Sequence, residues 1–161
     1  MGTRCNVIVK HGDTKINLYR HYDGYYAETG YDLITRLGHC MGAGRFDGSR
    51  GFHFNKFVTN LINAKREPYR YDPADKEQYE LTNGIHGDVE FIYRFTWKDH
   101  NRVILNFSQR RLVKDSKGEL QEEWTTDISR TVNSVTIKHV FDFMEKEKLA
   151  MLERARKIAI W

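Results

Sequence analysis

The strongest constraint on the fold is a side-chain alternation in the second half of the chain. The nine residues VEFIYRFTW, 89–97, place large apolar side chains at every second position, as a strand with one buried face does. These side chains are Val89, Phe91, Tyr93, Phe95 and Trp97. A turn at 98–101 leads to a second predicted strand, 102–112. Its inward positions are Val103, Leu105 and Phe107. A further turn at 115–118 and a strand at 120–128 complete a predicted three-stranded meander.

The first half of the chain predicts a hairpin followed by two helices. Residues 5–10 and 15–21 predict two short strands across a four-residue turn. Thr29 is expected to cap the first helix. The second helix has apolar residues at i, i+3, i+4, i+7 and i+8: Phe54, Phe57, Val58, Leu61 and Ile62. Residues 65–78 hold both prolines and many charges, so they predict a surface loop.

A long helix, residues 134–159, is predicted at the C-terminal end, with a cap at Asn133 or Ser134. Its apolar stripe is predicted to be Val140, Phe141, Met144, Leu152, Ala155 and Ile158. The helix is expected either to run unbroken to 159 or to break near 145–148. At 1.5 Å per residue, residues 135–159 would span roughly 37 Å, which is long for a domain of this size. Part of the helix is therefore a candidate homodimer surface. We expect residues 1–161 to form a single α+β domain. It would have an antiparallel or mixed sheet of about five strands, two helices on one face, and the long last helix.

Composition restricts the class of protein. Hydrophobic residues make up 40% and charged residues 30% of the 161 residues, which is typical of a globular domain. No apolar run reaches the ~20 residues of a membrane span, and the N-terminus has no secretory apolar core, so a cytoplasmic location is expected. Cys5 and Cys40 have no metal or redox spacing and are expected to be free thiols. The net charge of +4 allows contact with nucleic acid, but the basic residues are scattered among 22 acids.

Two His-x-Asp triplets are candidate functional residues: His21-Tyr22-Asp23 and His86-Gly87-Asp88. In an extended segment, residues i and i+2 share a face, so each triplet can present an imidazole and a carboxylate together. If the triplets met, they could bind a divalent metal or supply a general acid and base. The alternative is a hydrogen-bonded turn, because Asp-Gly is a favoured turn pair.

A glycine-rich stretch, residues 42–51, carries a second candidate site. Glycine amides ahead of a helix can approach a phosphate, and Arg45 and Arg50 would add charge-assisted hydrogen bonds. The stretch matches neither GxxxxGK[ST] nor GxGxxG, and no strand leads into it, so a plain surface loop is the alternative.

Five tyrosines lie within thirteen residues, close to Arg20: Tyr19, Tyr22, Tyr25, Tyr26 and Tyr31. Tyrosine with arginine is typical of binding surfaces, because tyrosine adds rigid contact area and a hydrogen bond. Ordinary strand chemistry is an equal alternative, and stacking on bases is a third.

Residues 19–25, YRHYDGY, and 85–93, IHGDVEFIY, resemble a group of small proteins encoded by phages and prophages. Members have a YRHxDGYP-type end to a hairpin and a later HGDxEYxY-type strand. The resemblance covers about a third of the chain, and Tyr26 stands where a proline is usual. It implies a phage context and a pairing of the two motifs in one fold. Arg20 or His21 is then expected to bridge to Asp88.

Our leading functional expectation is a phage-encoded, non-catalytic binding protein that needs no cofactor and inhibits a host or anti-phage defence protein. The alternative is a small nucleotide- or signalling-phosphate-binding protein or hydrolase. His21, Asp23, His86 and Asp88 would be its polar centre, with Arg45 and Arg50 as phosphate clamps. Nucleic-acid binding is a third hypothesis. The predicted binding residues are Arg20, His21, Tyr22, Asp23, Tyr25, Tyr26, Arg45, Arg50, His86 and Asp88.

Overall fold

A computed structural model describes residues 3–41, 51–65 and 77–159. The strands are β1 Cys5–His11, β2 Thr14–Arg20, β3 Glu80–Thr82, β4 Phe91–Asp99, β5 Arg102–Lys114 and β6 Leu120–Val132. The helices are α1 Tyr31–His39, α2 Phe54–Ile62 and α3 Ile137–Ala159, and a π-helix, Tyr26–Gly30, leads directly into α1.

The six strands form one mixed sheet in the order β3-β2-β1-β4-β5-β6. β1 and β4 pair in parallel at its centre, and every other neighbouring pair is antiparallel. The predicted α+β class is confirmed, with one strand more than expected. The additional strand is β3, whose three residues are too few to show an alternation.

The helices cover one face of the sheet and enclose the main core. The predicted inward residues of β4 and β5, from Phe91 to Trp97 and from Val103 to Phe107, are buried there. They pack against buried residues of α1, α2 and α3: Leu33, Ile34, Leu37, Phe57, Leu61, Val140 and Met144. Each fully buried side chain of this size stabilises the fold by about 1.5–3 kcal/mol.

Val89 does not lie on that face, so the prediction that it belongs to the inward series is wrong. β4 begins at Phe91, so Val89 precedes the strand and the alternation does not extend to it. It packs on the opposite face of the sheet in a small second cluster with Ile8, Tyr19 and Ile92. The rest of this opposite face has no helix over it among the described residues, and we call it the open face.

The turn between β2 and α1 is compact. Asp23 has a positive φ of 52°, and its carbonyl oxygen accepts a 2.6 Å hydrogen bond from the Thr29 hydroxyl. Thr29 is therefore not the cap of α1, because the π-helix already continues into that helix. The next residue, Gly24, must be a glycine, because a Cβ there would lie 2.9 Å from the Cβ of Cys5.

Helix α3 is unbroken over its described length. The carboxamide oxygen of Asn133 accepts hydrogen bonds from the amides of Val135 and Thr136, both 2.9 Å. Asn133 thereby holds the turn that leads into α3, which begins at Ile137 and not at the predicted residue 134. The predicted apolar stripe is wrong at Leu152, which is 54% exposed. Ala155 is also exposed, and the side chain of Ile158 lies outside the described part. The C-terminal half of α3 therefore packs its stripe less closely than the first half.

Candidate functional site

The two His-x-Asp triplets approach each other at one tyrosine. The ring of His86 stacks on Tyr19, with centroids 4.0 Å apart, and the ring of His21 contacts Tyr19 edge-on at 4.5 Å. The expected pairing of the two motifs is thus seen for both histidines. Asp23 takes no part in these contacts, since its carboxylate accepts a hydrogen bond from the Tyr25 hydroxyl.

The carboxylate of Asp88 is held by Tyr19 and by Arg4, a residue that the sequence did not indicate. Arg4 donates to it at 2.9 Å, and the Tyr19 hydroxyl donates at 3.1 Å. The predicted bridge from Arg20 or His21 is therefore wrong, and His21 faces Glu80 at 3.3 Å instead. Burial, followed by the hydrogen bond to Asp88, raises the pKa of Tyr19 to about 12.

A buried asparagine fixes the segment that carries the second triplet. The Asn6 carboxamide nitrogen donates to the carbonyl oxygens of Leu18 and Gly84, and its oxygen accepts from the His86 amide. The His86 imidazole lies 2.7 Å from the Thr82 hydroxyl. Residues 84–86 are thereby fastened to the open face. This is the hydrogen-bonded turn that the sequence left as an alternative.

Arg20 is a buried structural cation. Its Nε donates to the Tyr22 carbonyl oxygen at 2.9 Å, and Nη1 donates to the Tyr79 hydroxyl at 3.2 Å. The guanidinium lies against both rings, 5.0 Å from the Tyr22 centroid and 5.4 Å from the Tyr79 centroid. The Tyr79 hydroxyl in turn donates a hydrogen bond to the Asp32 carboxylate at 2.6 Å. Burial and then Asp32 raise the pKa of Tyr79 well above its usual range. The polar end of β2 thus fixes the chain's path into α1.

Tyr25 and Tyr26 line a groove of about 510 Å³ between the π-helix, the sheet and α3. Tyr26 is nevertheless a buried residue, with an exposed fraction of only 4%. Its hydroxyl donates to Asp127 at 2.7 Å, and Gln109 and Arg111 also donate to that carboxylate, at 2.7 and 3.2 Å. Burial and then Asp127 raise the pKa of Tyr26 above its usual range. The polar groups around Asp127 therefore satisfy one another.

A second concavity, of about 490 Å³, lies on the open face. Residues 85–87 form one wall, and the other lining residues come from β4, β5 and β6. Two arginines, Arg94 and Arg110, and one tryptophan, Trp124, line it. Arg110 lies over the Trp124 ring at 5.1 Å from its centroid. No sequence motif pointed to these three residues. The one available signal was the polar series Arg94, Thr96, Asn106 and Ser108 on the outward positions of β4 and β5.

Arg45, Arg50 and the two cysteines are the remaining residues that the sequence singled out. Arg45 and Arg50 lie outside the described residues. Cys5 is fully buried and burial raises its pKa to about 12, while burial also raises the pKa of Cys40. Within 3–41, 51–65 and 77–159, no three His, Cys, Asp or Glu side chains are grouped so as to hold a metal ion. No helix in these ranges has the length and apolar character needed to cross a membrane.

Comparison of the chain with protein-family models, curated proteins and solved structures finds no match.

Proposed function

We propose that the chain is a phage-encoded, non-catalytic binding protein that acts in the host cytoplasm and inhibits a host or anti-phage defence protein. The observation that carries this proposal is an apolar strip on the hairpin of β5 and β6. Three large side chains there are exposed: Leu112 by 65%, Leu120 by 64% and Trp124 by 42%.

The strip lies on one face of a projecting arm. The pairing of β4 with β5 ends at Phe91 and Gln109, so residues 110–124 form a two-stranded extension beyond it. Trp124 pairs with Arg110, and Leu120 pairs with Lys114. Facing residues of an antiparallel pair share a side, and alternate residues of a strand do too, so Leu112, Leu120 and Trp124 point the same way. Tryptophan and arginine beside exposed leucines are typical anchors of protein interfaces.

The polar residues first considered for catalysis favour a structural role. Asp88 is held by Arg4 and Tyr19, and Asp23 holds the turn that follows β2. The contact of His21 and His86 with Tyr19 supports the phage-type pairing of the two motifs.

The exposed side of helix α3 favours a second proposal, that two copies of the chain form a homodimer. Its exposed Leu149 and Leu152 lie one turn apart, with Glu145 and Arg156 on the same side of the helix. In an antiparallel pair of two copies centred between residues 150 and 151, Leu149 would meet Leu152 and Glu145 would meet Arg156. This stripe is therefore complementary to itself in both apolar character and charge.

The inhibition is tested by expressing the chain in bacterial strains that each carry one defence system and measuring the plating of a restricted phage. We expect one system to lose its restriction and its purified complex to bind the chain. Leu112→Glu should weaken that binding roughly 30-fold, because an interface anchor contributes about 2 kcal/mol. Val135→Glu is the matched control, since Val135 is 49% exposed but lies outside the arm. Restriction unchanged in every strain, together with turnover of a substrate by the chain, would contradict the proposal.

A further inference from the structure

The concavity on the open face has the charge of an anion site. Among its lining residues, two are arginines and none is acidic. Arg110 is already engaged: it donates to the Gly87 carbonyl oxygen at 3.2 Å and lies 3.6 Å from Glu122. Arg94 is half-buried in the middle of β4 and, within the described part of the chain, has no hydrogen-bond or ion-pair partner. A guanidinium that lines a concavity and has no protein partner there can donate charge-assisted hydrogen bonds to a ligand oxyanion.

A second donor lies directly beside Arg94. Asn106 faces it across the pairing of β4 and β5. The Asn106 carboxamide oxygen accepts a hydrogen bond from Ser108, whose hydroxyl also lies 3.1 Å from that of Thr126. This orients the Asn106 amide group, whose NH₂ has no acceptor among the described residues. The guanidinium and the amide thus offer N–H donors to one position.

The other end of the concavity is apolar and aromatic. Trp124 and Ile85 line it, and they are 42% and 50% exposed. The guanidinium of Arg110 holds the Trp124 ring in place at one side. Cationic donors at one end and an aromatic ring at the other suit a ligand with a phosphate and a planar base.

We propose that this concavity binds a nucleotide, with Arg94 and Asn106 holding its phosphate and Trp124 contacting its base. Its volume of about 490 Å³ falls within the range of small-molecule pockets, which favours a single nucleotide over a long strand. Residues 85–87, fastened by Asn6, form its wall. The site shares Trp124 with the apolar strip, but its phosphate end, Arg94 and Asn106, lies outside the strip. It also differs from the predicted phosphate centre at Arg45, Arg50 and the triplets.

The test is calorimetric titration of the full chain with four probes: inorganic phosphate, AMP, ATP and a ten-nucleotide single strand. We expect AMP or ATP to bind more tightly than phosphate. Arg94→Ala should weaken that binding by about tenfold or more, because hydrogen bonds to charged groups are the strong ones. Arg102→Ala is the matched control, since Arg102 pairs with Asp99 away from the concavity. Trp124→Ala should weaken nucleotide binding and leave phosphate binding unchanged.

Circular dichroism and melting temperature establish that each variant is folded. If Arg94→Ala fails to fold, Asn106→Asp takes its place as the variant of the same donor position. Its added negative charge should weaken phosphate binding. Three results would overturn the proposal. They are no binding of AMP or ATP up to about 1 mM, the weak end of specific affinities; unchanged binding by both folded variants; or binding of the single strand alone, which would assign the face to nucleic acid.

Discussion

Replacement of Asn6 by alanine is expected to destabilise the protein by about 3 kcal/mol. The side chain is fully buried and makes three hydrogen bonds, to the Leu18 and Gly84 carbonyl oxygens at 3.0 and 3.2 Å and from the His86 amide at 2.9 Å. Alanine removes all three. The net contribution of each such bond is about 1 kcal/mol, and more where the remaining partner stays buried, as the Leu18 carbonyl does.

The assay is thermal and urea-induced unfolding followed by circular dichroism. For a chain of this length, a loss of 3 kcal/mol should lower the melting temperature by about 6–12 °C. Hydrogen exchange gives a local readout, because the His86 amide should lose its protection when residues 84–86 are released. Nucleotide affinity should fall as well, since the same segment forms a wall of the concavity.

Asn17→Ala is the matched control. Asn17 is a half-buried asparagine on the neighbouring strand β2, and its carboxamide oxygen has no hydrogen-bond partner among the described residues. Its replacement should leave the free energy of unfolding unchanged or raise it slightly, because it removes a buried oxygen that has no hydrogen-bond partner. If Asn6→Ala were equally mild, the idea that Asn6 fastens residues 84–86 to the sheet would be refuted.

Three further predictions follow from the described contacts. Gly24→Ala should destabilise the fold by about 2 kcal/mol or more, because the new Cβ would lie 2.9 Å from the Cβ of Cys5. Gly38→Ala, in α1 with open space around it, should instead stabilise the fold by about 0.5–1 kcal/mol. Equal unfolding midpoints for the two variants would contradict both predictions. The pKa of Cys5 is raised to about 12, so the stabilising neutral thiol is fully present below pH 9, and stability should fall between pH 9 and 12 by up to about 1.4 kcal/mol per pH unit. Urea midpoints measured across this pH range test the prediction. If stability fell as steeply with pH in Cys5→Ala, the assignment of this pH dependence to Cys5 would be disproved. Leu149→Glu should abolish the dimer in sedimentation equilibrium, and a monomeric parent protein would exclude the dimer itself.

The parts of the fold that the sequence predicts are those with a local period. The inward series from Phe91 to Trp97 and the five apolar residues of α2 each repeat over several turns or pleats, so a single element can be recognised without its neighbours. Val89 shows the limit, since it continues the series but precedes the strand. Leu152 shows another, because a period identifies an apolar face and not what the face packs against.

Most contacts of the candidate site could not be predicted from the sequence, because they join residues that are distant in the chain. The sequence shows that His21 and His86 have similar neighbours, and both rings contact Tyr19. It does not show that Arg4 holds Asp88, 84 positions away, or that Asn6 holds His86, 80 positions away. The parallel pairing of β1 with β4 creates both contacts, and nothing local in either strand specifies that partner.

The same parallel pairing has a consequence for biosynthesis. Cys5 lies opposite Phe91, so the centre of the sheet can close only after about 85 further residues have been made. At a synthesis rate of about 5–20 residues per second, β1 emerges roughly 4–17 s before β4. During this interval both edges of the β1–β2 hairpin are unpaired, because β3 and β4 have not yet been made. Its row of Cys5, Val7 and Val9 is also uncovered until β4 and the helices bury it. The nascent chain is therefore open to edge-to-edge association at this stage, and crowded expression should produce aggregates that start from the N-terminal hairpin.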